Sequence, residues 1–211
     1  MNDTFDIQQL EESLKRRKQS VRIAEEARCA AVMVTLRETG EGGYDILFER
    51  RSAMLRHQPG DISFPGGSVD TSDRSAADAA LRETQEELGL NAGDVRLLGA
   101  LDIVVASSHL IVYPYVGVLG QSSHLRPNPE EVEEILSVST ADALRHKPQT
   151  YEVPLSPVFP KDFPFHLIPG GENYAWRKWI QQQYFYTFPG FVVWGLTGRI
   201  LTHFLRIAGS L

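Results

Sequence analysis

The chain has 211 residues, of which 42% are apolar and 23% are charged. It carries 21 Lys and Arg against 27 Asp and Glu, a formal net charge of −6. This composition is typical of a globular protein and excludes the disordered and fibrous classes. The acidic balance disfavours a nucleic-acid partner, because gripping a phosphate backbone requires a basic surface. A phosphorylated ligand would have to be held by local groups or by a metal ion.

The cysteine content and the hydropathy pattern bear on the cellular compartment. Cys29, the one cysteine, lies in the apolar run 29–34, and we expect a buried core thiol. The first ten residues carry no secretory or transit signal, so we predict a cytoplasmic protein. The most apolar stretch, 97–120, is interrupted by Asp102 and Pro114, and two strands explain it better than a membrane span. We therefore expect no membrane partner.

Hydrophobic patterning predicts alternating strands and helices. The predicted strands are 29–36, 44–49, 95–106, 111–118, 135–138, 165–168 and 174–176. The predicted helices are 6–26, 76–88 and 194–207. Ser75 is the expected N-cap of the second helix, and Gly89 follows it where a left-handed residue is favoured. We predict a helical extension over 1–27 and a single domain over 28–211 that includes the C-terminal helix, with an α/β or α+β architecture.

Three carboxylates cluster on the predicted helix 76–88. Glu83, Glu86 and Glu87 have the spacing i, i+3, i+4, so they lie on one side of a single turn. Their mutual repulsion and the negative C-terminal end of the helix both disfavour this arrangement. A divalent cation would relieve both, and hard oxygen ligands favour Mg²⁺ or Mn²⁺. Arg82 lies four residues before Glu86 and can orient a carboxylate. A solvated acidic helix face is the alternative interpretation.

The surrounding sequence resembles the Nudix box, the strand-loop-helix signature of Nudix hydrolases. The resemblance rests on Gly67, on Asp73, and on the run Arg-Glu-Thr-x-Glu-Glu-x-Gly-Leu at 82–90. Two features depart from the family pattern. Asp73 replaces a Glu, and eight residues rather than seven separate this position from Arg82. The resemblance implies a Nudix-type mixed β-sheet sandwiched between helices, and a Mg²⁺ or Mn²⁺ site formed by Glu83, Glu86 and Glu87.

A second motif is similar to the signature of the coenzyme A pyrophosphatase subfamily. It consists of Leu47, the run Arg-Arg-Ser at 50–52, Arg56, Gly60 and the Phe-Pro-Gly-Gly at 64–67, and the run Trp-Gly-Leu-Thr at 194–197 resembles a C-terminal feature of that subfamily. Phe48 and Glu49 replace the Leu and Thr of the pattern at strand positions, where we expect little effect on the chemistry. The resemblance implies hydrolysis of coenzyme A or its thioesters to 3′,5′-ADP and 4′-phosphopantetheine or its acyl form.

The resemblance also implies a general base. Nudix enzymes use either a carboxylate of the box or one from a downstream loop, and our candidates are Glu86 and Glu131. Glu131 lies in the acidic segment 128–134, just before Val132 at the start of a predicted strand. An acidic surface loop explains this segment equally well. Arg82, as the orienting group, completes the predicted catalytic set.

A basic cluster precedes the Phe-Pro-Gly-Gly turn. Arginines bind phosphate through paired donors, so we predict that Arg50, Arg51 and Arg56 bind the substrate, including the 3′-phosphate of coenzyme A. Gly67 is predicted to let the backbone approach the ligand. Surface arginines beside a loop are the alternative interpretation. The aromatic segment 174–194 would line a groove for the pantetheine arm or serve core or dimer packing, so a homodimer stays open.

Two other functions compete with this interpretation. One is a Nudix hydrolase that acts on another small molecule, namely ADP-ribose, NADH or a nucleoside triphosphate. The other is a Nudix-fold binding module without catalysis, which is expected to have lost carboxylates of the box. This chain keeps Glu83, Glu86 and Glu87, which favours an enzyme.

Overall fold

The computed structural model describes residues 27–40 and 42–209. The strands are β1 (Arg28–Glu38), β2 (Tyr44–Arg51), β3 (Ile62–Ser63), β4 (Gly66–Ser68), β5 (Val95–Ala100), β6 (Val104–Ser107), β7 (Leu110–Leu119), β8 (Val132–Ser139), β9 (Gln149–Leu155), β10 (Trp179–Phe188) and β11 (Phe191–Val193). The helices are α1 (Ala76–Leu88), α2 (Thr140–Arg145) and α3 (Gly195–Ala208), with two single 3₁₀ turns, Phe165–Leu167 and Gly171–Asn173. The helix predicted over 6–26 lies outside the described residues, so the boundary at residue 27 stays a prediction.

A mixed sheet organises the described part of the chain. Its strands follow the order β3-β2-β1-β7-β5, while β4 pairs with β1, β6 with β7 and β8 with β2. The central pair β1 and β7 is parallel, from Arg28 opposite Leu110 to Arg37 opposite Leu119, and its other neighbours are antiparallel. A smaller antiparallel sheet has the order β11-β10-β9. β1 therefore lies at the centre of the mixed sheet, between β2 and β7.

The two faces of the mixed sheet are covered by different helices. Along β1, Ala31 and Met33 belong to the cluster that packs against α1, while Val34 and Leu36 belong to the cluster that contains residues of α3. Alternate residues of a strand point to opposite faces, which explains this division. The α+β fold with a mixed sheet sandwiched between helices is therefore confirmed.

Most of the predicted elements exist, with three differences. The strand predicted over 95–106 is split into β5 and β6, with no strand structure at residues 101–103. The strand predicted over 165–168 is wrong, because Pro164 and Pro169 flank a 3₁₀ turn there. The strand predicted over 174–176 is also wrong, because β10 begins only at Trp179. No helix in the described ranges is long and apolar enough to cross a membrane.

Candidate active site

Helix α1 presents the three carboxylates from its C-terminal half. Ser75 caps its N-terminus, with the Ser75 side chain accepting from the Asp78 N–H at 3.2 Å. Gly89 ends the helix in the left-handed conformation, with φ of 63°. Both caps match the sequence prediction and fix where the helix begins and ends. The three side chains differ in exposure, because Glu86 is 56% exposed while Glu83 is half-buried and Glu87 is buried.

Arg82 organises the outer side of this cluster. Its Nε and Nη2 atoms donate to the two carboxylate oxygens of Asp73 at 3.0 and 2.9 Å. Its Nη1 atom donates to Glu83 Oε1 at 2.8 Å and to Glu86 Oε2 at 3.3 Å. The hydrogen bond from Arg82 holds the pKa of Asp73 below its usual range. Asp73 therefore takes the place of the Glu of the family pattern as the carboxylate that orients Arg82.

The two glycines of the Phe-Pro-Gly-Gly turn make room for the carboxylates. The Gly66 N–H donates to Glu87 Oε2 at 2.7 Å. Gly66 has φ of 148°, and a Cβ there would overlap the carbonyl oxygen of Ala31. A Cβ on Gly67 would overlap the carboxylate of Glu83. The predicted contact of Gly67 with a ligand stays a prediction, while its contact with Glu83 is observed.

Glu49 is a member of the site that the sequence interpretation missed. It lies in β2 opposite Ser63 of β3, is fully buried, and accepts a hydrogen bond from Ser63 Oγ at 2.9 Å. Burial raises its pKa to about 7, and burial together with the charge of Glu49 raises the pKa of Glu87 to about 9. The two carboxyl groups titrate as a pair, which retains a proton near neutral pH. The sequence did carry one signal for this site residue, because Glu49 is a charged residue that directly follows the apolar run 46–48.

The loop before β8 brings Glu131 to the same cluster. The backbone N–H groups of Arg126 and Asn128 donate to the carbonyl oxygens of Leu88 and Glu87, the end of α1, at 2.8 and 2.9 Å. The carbonyl oxygen of Glu131 accepts from the Ser52 N–H at 2.8 Å. Burial raises the pKa of Glu49, Glu83 and Glu87, and the charge of Glu131 adds a smaller contribution in the same direction. The structure thus brings the downstream carboxylate next to those of the helix.

A cavity of about 380 Å³ lies beside Gly66 and joins the two distant motifs. Its lining includes Arg51, Ser63 and Gly66 from the first motif and the run 194–197 from the second. Arg51 Nη2 donates to the carbonyl oxygen of His57 at 3.5 Å. Arg51 Nε is buried and has no hydrogen-bond partner in the described part of the chain. Arg51 lines the cavity, and a guanidinium group there is suited to an anionic ligand.

Comparison with known proteins decides the family. The NUDIX domain profile matches residues 27–160, more than half of the chain. The chain belongs to the Nudix family. It is 33% identical over 159 residues to the uncharacterized Nudix hydrolase NudL of Pectobacterium atrosepticum, covering 74% of this chain and 71% of that protein. The NudL protein of Klebsiella pneumoniae strain 342 is 32% identical over 185 residues, covering 88% of this chain and 85% of that protein.

A solved structure supports the Nudix fold over nearly the whole chain. A MutT/nudix family protein from Enterococcus faecalis aligns with a TM-score of 0.51 and 14% identity, covering 97% of this chain and 70% of that chain. The protein is thus a Nudix hydrolase, an enzyme that acts on a small-molecule nucleoside diphosphate derivative. The predicted family, fold and enzyme class are confirmed at this level.

Nudix hydrolases generally use divalent ions such as Mg²⁺ or Mn²⁺. Within residues 27–40 and 42–209, no three His, Cys, Asp or Glu side chains stand in an arrangement that could hold a metal ion. Arg82 donates to one carboxylate oxygen of Glu83 and to one of Glu86, so the second oxygen of each side chain is left for a cation. The donors nevertheless fit a hard cation, because carboxylates that raise one another's pKa gain from added positive charge.

The other two predicted arginines lie apart from the cavity wall. Arg50 Nε donates to Glu134 Oε2 at 3.1 Å across the β2 and β8 pair. Arg56 is exposed in the loop after β2. Neither lines the 380 Å³ cavity of this Nudix hydrolase. Their binding of substrate stays a prediction, and Arg51 is the arginine whose placement favours that role.

Proposed function

We propose that the protein hydrolyses the pyrophosphate bond of coenzyme A, of its acyl thioesters or of its oxidised form. Water attacks one phosphorus atom, the bridging oxygen leaves with the other phosphate, and the products are 3′,5′-ADP and 4′-phosphopantetheine or its acyl or disulfide form. The observation that carries this proposal is the placement of Arg51 in a cavity that borders Gly66, whose N–H holds Glu87. An anion held by Arg51 would therefore lie beside the carboxylates of α1.

The carboxylates supply the groups that hydrolysis needs. We assign Glu83, Glu86 and Glu87 as the ligands of Mg²⁺ or Mn²⁺, which when bound would neutralise phosphate oxygens and lower the pKa of a coordinated water. Glu131 is the proposed general base, because hydrogen bonds join the loop that contains Glu131 to the end of α1. Glu86 is the alternative base. Arg82 positions Glu83 and Glu86.

The size and lining of a second cavity support a two-part substrate. This cavity, of about 790 Å³, shares Ala106 and Ser107 of β6 with the 380 Å³ cavity. Apolar side chains of β10, including Trp179 and Ile180, line it together with polar and basic groups from α3. An apolar groove with polar edges suits a pantetheine arm, whose amides alternate with short carbon chains.

A competition assay tests the substrate. The purified protein is incubated with Mg²⁺ or Mn²⁺ and equal concentrations of coenzyme A, ADP-ribose and NADH, and the products are identified by mass. We expect 3′,5′-ADP and phosphopantetheine to form ahead of AMP. If AMP dominates, the coenzyme A assignment and the Arg51 anchor fall while the Nudix hydrolase assignment stands. Undiminished turnover in both Glu86→Gln and Glu87→Gln would overturn the metal assignment.

The remaining partners and the compartment are proposed on simpler grounds. The lone Cys29 fits a reducing cytoplasm. The net charge of −6 favours a small-molecule substrate over a nucleic acid. Exposed apolar residues of β9 outside this cavity, such as Tyr151 and Val153, suit contact with a second copy of the chain. The molecular mass in solution tests this homodimer.

A further inference from the structure

Glu49 is a carboxylate to which the proposed function gives no role, although its position is unusual. The side chain is 0% exposed, and Ser63 Oγ donates to Oε1. Oε2 is equally buried and has no hydrogen-bond partner among residues 27–40 and 42–209. A buried carboxylate oxygen without an N–H or O–H donor is costly, so this atom calls either for a cation or for a proton shared with a neighbouring carboxyl group.

The surroundings of Glu49 indicate what that partner is. Glu87 of α1 interacts with it through charge and hydrogen bonding, and Glu131 acts on it through charge. Carboxylates of three separate elements, namely β2, α1 and the loop before β8, therefore interact with one another through charge. The positive charge of Arg51 acts on Glu49, but the side chain of Arg51 lies along the 380 Å³ cavity. A small, hard cation satisfies several carboxylate oxygens at once, which a single N–H donor cannot do.

We propose that Glu49 is a further ligand of the divalent cation, contributed by β2 in addition to the carboxylates of α1. This inference rests on the metal site assigned to Glu83, Glu86 and Glu87 under the proposed function. The competing explanation is a structural carboxyl pair in which Glu49 and Glu87 share a proton and no cation contacts Glu49.

Direct Mn²⁺ titration distinguishes these explanations. The loss of the free Mn²⁺ signal in electron paramagnetic resonance is measured for the metal-free wild-type protein and four variants, Glu49→Gln, Glu49→Thr, Glu83→Gln and Glu133→Gln. Glu133 is exposed on β8 and is the matched control for the loss of a charge. We expect Glu49→Gln to weaken Mn²⁺ binding by about tenfold or more, by analogy with losses around metal sites, and Glu133→Gln to bind as the wild type does.

The outcomes separate this inference from the proposed metal site. If the wild-type protein binds no Mn²⁺, the metal site fails and the Glu49 ligand fails with it. If Glu83→Gln weakens binding while Glu49→Gln does not, the Glu49 ligand alone is overturned and the structural pair remains. Thermal melting gives a second readout. In EDTA, the Tm of Glu49→Gln should be higher than that of the wild type, and the rise in its Tm on adding Mn²⁺ should be smaller than the rise seen for the wild type. An equal gain overturns the inference, and Glu49→Thr carries the same test if Glu49→Gln does not fold.

Discussion

Removal of the hydroxyl group of Ser63 should destabilise the metal-free protein. Ser63 Oγ donates the 2.9 Å hydrogen bond to Glu49 Oε1, and Glu49 Oε2 has no partner within the described ranges, so Ser63→Ala leaves a buried carboxylate without a side-chain donor. Hydrogen bonds to charged groups contribute about 1.5–3 kcal/mol, which is the expected loss in the free energy of unfolding. For a chain of this length, this loss corresponds to a Tm lower by about 3–12 °C.

The measurement is chemical and thermal denaturation at pH 8 in EDTA, above the pKa of Glu49 of about 7. Ser137→Ala is the matched control, because Ser137 is exposed on β8. In a Glu49→Met background, Ser63→Ala should leave the free energy of unfolding almost unchanged, because the carboxylate that accepts the hydrogen bond from Ser63 is absent. Equal losses for Ser63→Ala and Ser137→Ala, or an undiminished loss in the Glu49→Met background, would refute the reasoning.

Three further predictions concern the charged groups of the site. Because burial raises the pKa of Glu87 from 4.5 to about 9, the folded protein binds this proton more tightly than the unfolded chain, so metal-free stability should fall as the pH rises between these values. Melting curves across this pH range should show a flatter fall for Glu87→Gln, and an unchanged slope would contradict the assignment. Arg51→Ala should lower kcat/KM for coenzyme A by about 10- to 100-fold, the equivalent of one or two charge-assisted hydrogen bonds, while exposed Arg145→Ala should not. Asp73→Asn should lower kcat by about tenfold or more, because Arg82 loses its paired acceptor. Asp70→Asn, which removes only a 3.8 Å exposed contact, should stay within about twofold in the same steady-state assay.

Local patterns predict the part of the site that lies on α1. Ser75 and Gly89 mark the ends of the helix, and the spacing of its glutamates fixes which face they share. The wrong strand at 165–168 shows the limit of such patterns. Its aromatic and β-branched residues favour a strand, but the segment forms a 3₁₀ turn between two prolines, neither of which has an N–H to donate to a neighbouring strand.

The rest of the site depends on contacts that no local pattern reports. Arg51 and Trp194 meet in one cavity because the mixed sheet and α3 close on each other. Glu49 occupies a strand position where alternation alone predicts only a face of the sheet. Its raised pKa follows from burial, which is modified by Ser63, Arg51 and Glu87 on other parts of the fold. A charged residue at the end of an apolar strand segment is a signal, but its partner is visible only in three dimensions.

The fastening of the loop at residues 126–131 to α1 makes the active site an all-or-none unit. The amides of Arg126 and Asn128 are bonded to the last carbonyls of the helix, so they exchange with solvent only when that end of the helix opens. The same opening releases the contacts that hold the loop of Glu131 against α1. The proposed base and the proposed metal ligands of the helix are therefore expected to be lost in one event rather than in succession. Mild denaturant should reduce the number of active molecules at constant KM, in step with deuterium uptake at these two amides.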